Sequence, residues 1–312
     1  MRFIYFGSSQ FSKVVLEGLC LNKYKPVLIV SKPDMPKGRG LRLSPTNVSQ
    51  FAKDKKIPFI KPLSLKKSEI KGILNKERAD FFIVADYGEI ISEDLLALPS
   101  DFTLCVHPSL LPRYRGAAPI EETLMNGDRK SGVTIFKMSE RVDAGDLILQ
   151  KAVIINYDDD FLSLSQKLAK EGALLLIEAI KKIEDKEYFL KPQDERLATV
   201  TSKLKKEDGR IPWENSAQDI RNLIRATLGW PSAYTFYQGK VIKILAVDII
   251  NQEVSNSPGV IIDIDKEGIY VATGKGVLKI KKLKPQGKSI MDAWSFVCGH
   301  KVESNESFFS NK

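Results

Sequence analysis

Cysteine and histidine are both scarce in this chain: three cysteines (Cys20, Cys105, Cys298) and two histidines (His107, His300) occur in 312 residues. An odd, sparse set of cysteines does not make a disulfide framework. With only two histidines beside them they do not make a convincing structural zinc site either, which wants four well-spaced ligands, so no metal is expected. Long hydrophobic runs are also missing. No apolar stretch approaches the ~18 residues that cross a bilayer. The opening MRFIYFGSS lacks the apolar core and small-residue cleavage site of a secretion signal. A cytoplasmic protein with no membrane partner is expected. The G-x-G-x-x-G spacing is absent after the first apolar run, which argues against a nicotinamide cofactor. Acidic residues are outnumbered, with 48 Lys and Arg against 39 Asp and Glu, a formal charge of +9. That balance suits a polyanionic partner such as nucleic acid, and equally a lysine-rich composition with no such role.

What is present is a strong alternation of strands and helices. RFIYFG is a short apolar run ending in glycine, the pattern of a central parallel strand, and a helix over 12–21 follows. KPVLIVS repeats the strand. SKPDMPKGRGLRLSP, with three prolines, two glycines and four basic residues, is expected to be an extended loop. Helices over 46–55 and 68–77 flank the short strand IPFI. The strands DFFIVADYG and FTLCVHP come next, then a helix over 120–126, the strand VTIFKM, the extended run DLILQKAVII and a long amphipathic helix over 162–183. Apolar strands alternating with helices predict an α/β, Rossmann-like domain with a mostly parallel sheet. Such sheets place their sites at the carboxyl ends of the strands.

Past residue 190 the composition changes. Glycine-containing turns recur between short alternating runs: KVIKILAVDII, GVIIDID, GIYVATG and VLKIKKLKP. These predict a small C-terminal β barrel of the oligonucleotide-binding kind, preceded by a helix over 217–226. We expect a catalytic domain over 1–190, a linker over 191–206 and the barrel over 207–312. VLKIKKLKPQGK would give one barrel strand a basic face, suited to a nucleic acid or to a lysine-guarded edge.

The chemistry concentrates in LCVHPSLLPRYRGAAPI. His107 sits where an apolar strand leaves the sheet, followed at once by a loop rich in proline, arginine and glycine. A second loop, SERVDAGDLI, carries Asp143 and Asp146. A carboxylate meeting the imidazole would fix its tautomer and give a general acid/base or an imidazolium donor. Asp-Ala-Gly-Asp is also good turn chemistry, and spacing alone leaves the pairing open.

These segments resemble the methionyl-tRNA formyltransferase family along nearly the full chain. The resemblance is carried by Cys105 to Ile120, by GVTIFKMSERVDAGD at 132–146, by FGSSQF at 6–11, by PDMPKGRG at 33–40 and by KLKKEDGRIPW at 203–213. It implies transfer of a formyl group from 10-formyltetrahydrofolate to the amine of methionine on initiator tRNA, for translation initiation. By resemblance His107 serves the developing oxyanion, and Asp143 orients it and assists proton transfer. Ser109, Leu110, Leu111 and Pro112 border the folate, and Tyr87, Gly88 and Ile90 of DYGEII line its pterin pocket. Arg39, with Lys37 and Arg42, is implied to grip the tRNA acceptor end, and Lys281 and Lys282 of the barrel to add backbone contacts. The family suggests a monomer. His300 and Trp294 read as structural.

Departures from the family pattern are specific. Cys105 stands where the family has asparagine, an amide donor to the oxyanion. Asp86 replaces a small residue beside the pterin, and Leu41 a basic one in the tRNA loop. A thiol is a weak donor. Either a water or another side chain substitutes, or Cys105 is a thiolate nucleophile, or the protein is a tRNA-binding module with impaired catalysis. Formyl transfer to a different amine is a further alternative.

Overall fold

The computed structural model describes residues 1–37 and 42–309. It resolves into two compact units: Met1–Pro119, Lys130–Ile155 and Leu164–Ser202 form the first, and Ile120–Arg129, Asn156–Ser163 and the chain from Lys203 onward form the second. In chain order up to residue 201 the elements are β1 (Phe3–Gly7), α1 (Gln10–Leu21), β2 (Leu28–Val30), β3 (Met35–Lys37), β4 (Arg42–Ser44), α2 (Asn47–Asp54), β5 (Phe59–Ile60), α3 (Ser68–Lys76), β6 (Phe81–Ala85), α4 (Glu93–Leu96), β7 (Phe102–His107), β8 (Arg115–Gly116), α5 (Pro119–Met125), β9 (Lys130–Lys137), β10 (Leu147–Ile154), α6 (Phe161–Glu184) and β11 (Val200–Thr201).

A seven-stranded sheet in the order β10-β9-β7-β6-β1-β2-β5 organises the first unit. Strands β5, β2, β1, β6 and β7 are mutually parallel. Every residue of β1 and β6 is buried, which is why both read as unbroken apolar runs. After β1 the chain builds to one side through β2 and β5, then returns to lay β6 on the other side. The reversal opens a crevice beyond the carboxyl ends of β1 and β6. α6 packs on the sheet through Gly172, where an added Cβ would meet Val106 and Val133.

One feature departs from the expectation for this unit. The segment expected to be an extended loop pairs with itself: β3 and β4 form an antiparallel hairpin with Lys37 opposite Arg42. Backbone pairing forms there without any apolar periodicity. The sheet is mostly parallel, as expected: β9 runs against the other strands, antiparallel to β7 on one side and to β10 on the other.

The second unit carries α7 (Ala217–Ala226), β12 (Tyr234–Tyr237), β13 (Lys240–Ile250), β14 (Ile261–Asp265), β15 (Gly268–Ala272), β16 (Val277–Pro285), β17 (Met291–Asp292) and α8 (Ala293–His300). Its antiparallel sheet runs β12-β13-β16-β15-β14, with β17 on β16. The tail joins the two edges. Phe309 and Phe236 of β12 exchange backbone hydrogen bonds at 2.9 and 3.0 Å, and Asn305 and Glu306 bond both backbone groups of Ile261 at 2.8 Å. Residues 305–309 therefore cover the unpaired groups of both edge strands, which removes a site for aberrant pairing. The core holds Trp213, Ile220, Ile224, Ile242, Phe296 and Phe308. Trp213 stacks on Phe308 with ring centroids 5.9 Å apart, and its indole N–H donates to Thr235 Oγ1 at 3.0 Å. His300 packs its ring 4.3 Å from that of Phe296.

Candidate active site

The apolar register of β7 delivers the site. Cys105 lies between Val84 and Phe136 in the sheet. Two residues on, His107 projects from the same face. Its ring is buried, and Nε2 lies 2.9 Å from the Tyr114 carbonyl oxygen. A carbonyl only accepts, so Nε2 carries the proton of that bond. On the other side Nδ1 lies 3.6 Å from Asp143 Oδ2. That is within ion-pair range and too long for a direct hydrogen bond. The same Oδ2 accepts the Gly116 N–H at 2.7 Å. Gly116 has φ +107°, and a Cβ there would run into the Thr201 carbonyl oxygen, so this donor position requires glycine.

Asp143 reaches the ring by a return path. Because β9 runs antiparallel to β7, its last residue, Lys137, is level with Leu104 and not with His107. The loop after β9 must double back along the sheet, and Asp143 sits in it with φ +50°. Asp146, the other aspartate of this loop, keeps its carbonyl on the Lys137 N–H at 2.9 Å. Sequence spacing left the choice open between the two, and the structure pairs His107 with Asp143.

Cys105 is buried in the apolar cluster with Val84, Tyr87, Leu111 and Phe136. Burial pushes its thiol well up, and the carboxylates of Asp143 and Asp86 push in the same direction. A thiolate nucleophile needs the opposite surroundings, a nearby cation and access to solvent.

The stretch after His107 is held from within. Thr134 Oγ1 donates to the Ser109 carbonyl at 2.7 Å and accepts the Leu111 N–H at 3.2 Å, while Gln150 Nε2 donates to the Leu111 carbonyl at 2.7 Å. The Leu110 carbonyl accepts from the Arg113 N–H at 3.1 Å. These groups brace the loop. Leu111 and Tyr87 nevertheless meet in one cluster with Cys105, so three of the sequence-predicted residues converge. Burial also pushes the Tyr87 phenol up, with Glu89 adding to it. Gly88 (φ +72°) accepts a hydrogen bond from Lys32 Nζ at 2.7 Å on its carbonyl, and Ile90 is exposed.

Several residues at the site gave no signal in sequence. The backbone groups of Tyr114 and Gly116 are two, since a main-chain partner leaves no residue-type signature. Arg115 is buried and makes paired hydrogen bonds to Gln193 Oε1 (3.0 and 2.8 Å) and to Glu195 (3.1 and 3.0 Å). Arg115, then Arg141, hold the Glu195 carboxyl down at about 2. The expected connecting segment supplies these partners, and β11 pairs in parallel with β8.

Of the basic residues, Arg39 lies outside the described residues, and Lys37 and Arg42 end the two strands of the hairpin. In β16 the expected alternation breaks. Lys279 is buried against Glu267, Lys281 pairs with Asp248 at 2.9 Å, and Lys281 and Lys282 are exposed side by side. Which lysine is buried depends on the register against β13, irregular around Ala246. Lys284 lies opposite Lys243, an unfavourable like-charge pair. Burial, then Lys284 and Lys206, push the Lys243 ammonium down. Among the described residues no group of three His, Cys, Asp or Glu side chains is placed to hold a metal, and no helix is long and apolar enough to cross a membrane.

A buried imidazole facing a carboxylate at a strand end thus sits on a mostly parallel sheet followed by an antiparallel domain. The chain belongs to the formyl transferase family: residues 1–180 match the formyl transferase domain and residues 203–301 the formyl transferase C-terminal domain. Within it the chain sits among the methionyl-tRNA formyltransferases. That of Agathobacter rectalis is 40% identical over 310 residues, covering 99% of this chain and 100% of that protein. That of Alkaliphilus metalliredigens is 37% identical, covering 97% and 96%. The fold is also that of HypX from Aquifex aeolicus, solved in complex with tetrahydrofolic acid, with a TM-score of 0.65 at 17% identity over 98% of this chain. The chain spans about half of that protein, 48% of its length.

Proposed function

We propose that this chain transfers a formyl group from 10-formyltetrahydrofolate to the α-amine of methionine esterified to initiator tRNA. The observation that carries the reading is the His107–Asp143 pair at the end of β7, its imidazole buried, with Leu111 and Tyr87 in one apolar cluster with Cys105 of the same strand. The amine attacks the formyl carbon, and negative charge develops on the formyl oxygen. Collapse of the tetrahedral adduct breaks the bond to the folate nitrogen, which takes up a proton as the product amide loses one. With Nε2 held by the Tyr114 carbonyl, Nδ1 is the ring position with room for a third partner. We assign it to the oxyanion, or to a water between it and Asp143. Asp143 orients the ring and receives the proton of the attacking amine through water. Cys105 occupies the place of a second oxyanion donor. Ser109 to Pro112 with Tyr87, Gly88 and Ile90 are assigned to the folate side, and Lys37, Arg39 and Arg42 to the tRNA acceptor end. The second domain, from about residue 207, is assigned to tRNA backbone binding, with the linker before it over 191–206.

The test is formylation of charged initiator tRNA with 10-formyltetrahydrofolate, against charged elongator tRNA. Product from initiator tRNA alone supports the reading. Binding of that tRNA with no product supports a binding module. Formylation of a small amine in preference to tRNA supports a different acceptor.

Basic contacts in the second domain are expected to differ in weight. Lys243→Ala and Lys284→Ala each relieve a like-charge pair, but Lys243→Ala also loses the 3.1 Å hydrogen bond from its Nζ to the Pro231 carbonyl, so stability should hold or rise for Lys284→Ala while tRNA affinity falls for both. The slope of log affinity against log salt should shrink by about 1 for each. Lys281→Ala, which loses a cation already paired with Asp248, should change the slope less. Equal slopes for all three variants and the parent would remove these lysines from the tRNA surface.

A further inference from the structure

We propose that Gln193 is a positioning residue for the His107–Asp143 pair, and that residues 191–201 act as a strap that shapes the active site. The inference rests on the formyl-transfer reading and deepens it. Gln193 Nε2 donates to two carbonyls of the doubling-back loop, those of Asp143 and Gly145, both at 2.8 Å. One side-chain amide thus holds the backbone of Asp143 itself, at the residue whose φ of +50° is disfavoured for a side chain with a Cβ. The Gln193 Oε1 accepts both hydrogen bonds from Arg115. This joins the Asp143 loop to the loop that presents Tyr114 and Gly116.

The rest of the strap grips that second loop. Thr199 Oγ1 accepts the Tyr114 N–H at 2.7 Å, and the Thr199 carbonyl accepts the Arg115 N–H at 2.8 Å. Thr201 Oγ1 donates to the Arg115 carbonyl at 3.1 Å. Further back, Lys191 and Leu147 exchange backbone bonds at 2.8 and 2.9 Å. Both groups that face the imidazole, the Tyr114 carbonyl and the Asp143 carboxylate, are therefore set by one downstream segment. Arg115 is locked in turn by Glu195, whose depressed pKa of about 2 keeps that link charged well below neutral pH. The sign is that of a lowered carboxyl: the link is complete above the ordinary carboxyl range and is lost as pH falls toward about 2.

The geometry makes a discriminating variant. Gln193→Glu keeps the length and the acceptor for Arg115 and turns the donor toward two carbonyls into an acceptor. If Gln193 only fills space or partners Arg115, Gln193→Glu is silent. If its amide positions Asp143, kcat for formylation of charged initiator tRNA falls by roughly 10²-fold, the scale of an ångström-sized misplacement, with KM for tRNA and for 10-formyltetrahydrofolate held within about twofold. Gln193→Met, which keeps length without the amide, should share the loss and serves if the glutamate variant does not fold. In an Asp143→Asn background either change should add less than about threefold, because both act through one carboxylate. A folded Gln193 variant with parental kcat overturns the inference, as does a full further loss on top of Asp143→Asn. Failure of the parent protein to formylate initiator tRNA overturns instead the reading on which it rests.

Discussion

Asp143→Asn is expected to lower kcat for formyl transfer by roughly 10²–10⁴-fold, the range lost when a positioned acid–base group is removed. The change keeps the shape of the side chain. The amide oxygen can still accept the Gly116 N–H, which the carboxylate holds at 2.7 Å, so the loop itself should survive. What it loses is the negative charge 3.6 Å from His107 Nδ1 and the ability to receive a proton. The imidazole then has one acceptor, the Tyr114 carbonyl, and nothing to favour a proton on the opposite nitrogen. KM for tRNA should change little, because Asp143 is assigned to the reacting centre and not to the phosphate contacts. Steady-state kinetics with both substrates varied makes the check. A kcat within about threefold of the parent would remove Asp143 from the chemistry and leave it as a loop residue.

Cys105→Asn is expected to raise kcat by roughly 10²-fold, because it restores an amide donor at the position that the family resemblance assigns to the developing oxyanion. One such donor is worth about 2.7–4 kcal/mol. Stability should move the other way. The cysteine is buried among Val84, Phe136 and Leu111, and an amide there, without its ligand, lacks a sure partner. A buried unsatisfied polar group costs about 1–3 kcal/mol. A faster but less stable enzyme is the expected result, read from initial rates and thermal melts of the same preparations. Cys105→Ala separates the remaining roles of sulfur. If the thiol is a packing group, alanine leaves kcat within about threefold. If sulfur forms a thioester with the formyl group, alanine abolishes transfer. The raised thiol and its two carboxylate neighbours favour the first outcome. No gain with asparagine would mean that another group already fills the donor position.

Much of the site was legible in the sequence because each part has a local signature. β1, β6 and β7 announced themselves as apolar runs, and His107 marked the end of one of them. In β16 the adjacent Lys281 and Lys282 mark a break in alternation that the sequence itself carries. What was not legible is that Lys279 turns inward to Glu267 while Lys281 and Lys282 are exposed together. Which lysine is buried depends on the register against β13, irregular around Ala246, and on a carboxylate from another turn. The tail over 305–309 was likewise unread as strand. Its partners, Phe236 and Ile261, lie tens of residues away, and its pairing is through backbone groups alone.

The amino-acid sequence determined the order of the main strands and helices, the family, and the three departures read against the family pattern, Cys105, Asp86 and Leu41. Residue type and local periodicity encode all of these. The family resemblance already singled out Asp143, but only the tertiary structure put its carboxylate 3.6 Å from His107, made Cys105 a buried neutral thiol, and brought Arg115, Gln193 and Glu195 to the site. Those facts depend on an antiparallel strand, a loop that doubles back and a segment 50 residues downstream of Asp143. Hydrogen bonds between side-chain amides and main-chain carbonyls across such distances leave no trace in residue spacing, because the chain between them is free to take any path that closes the contact.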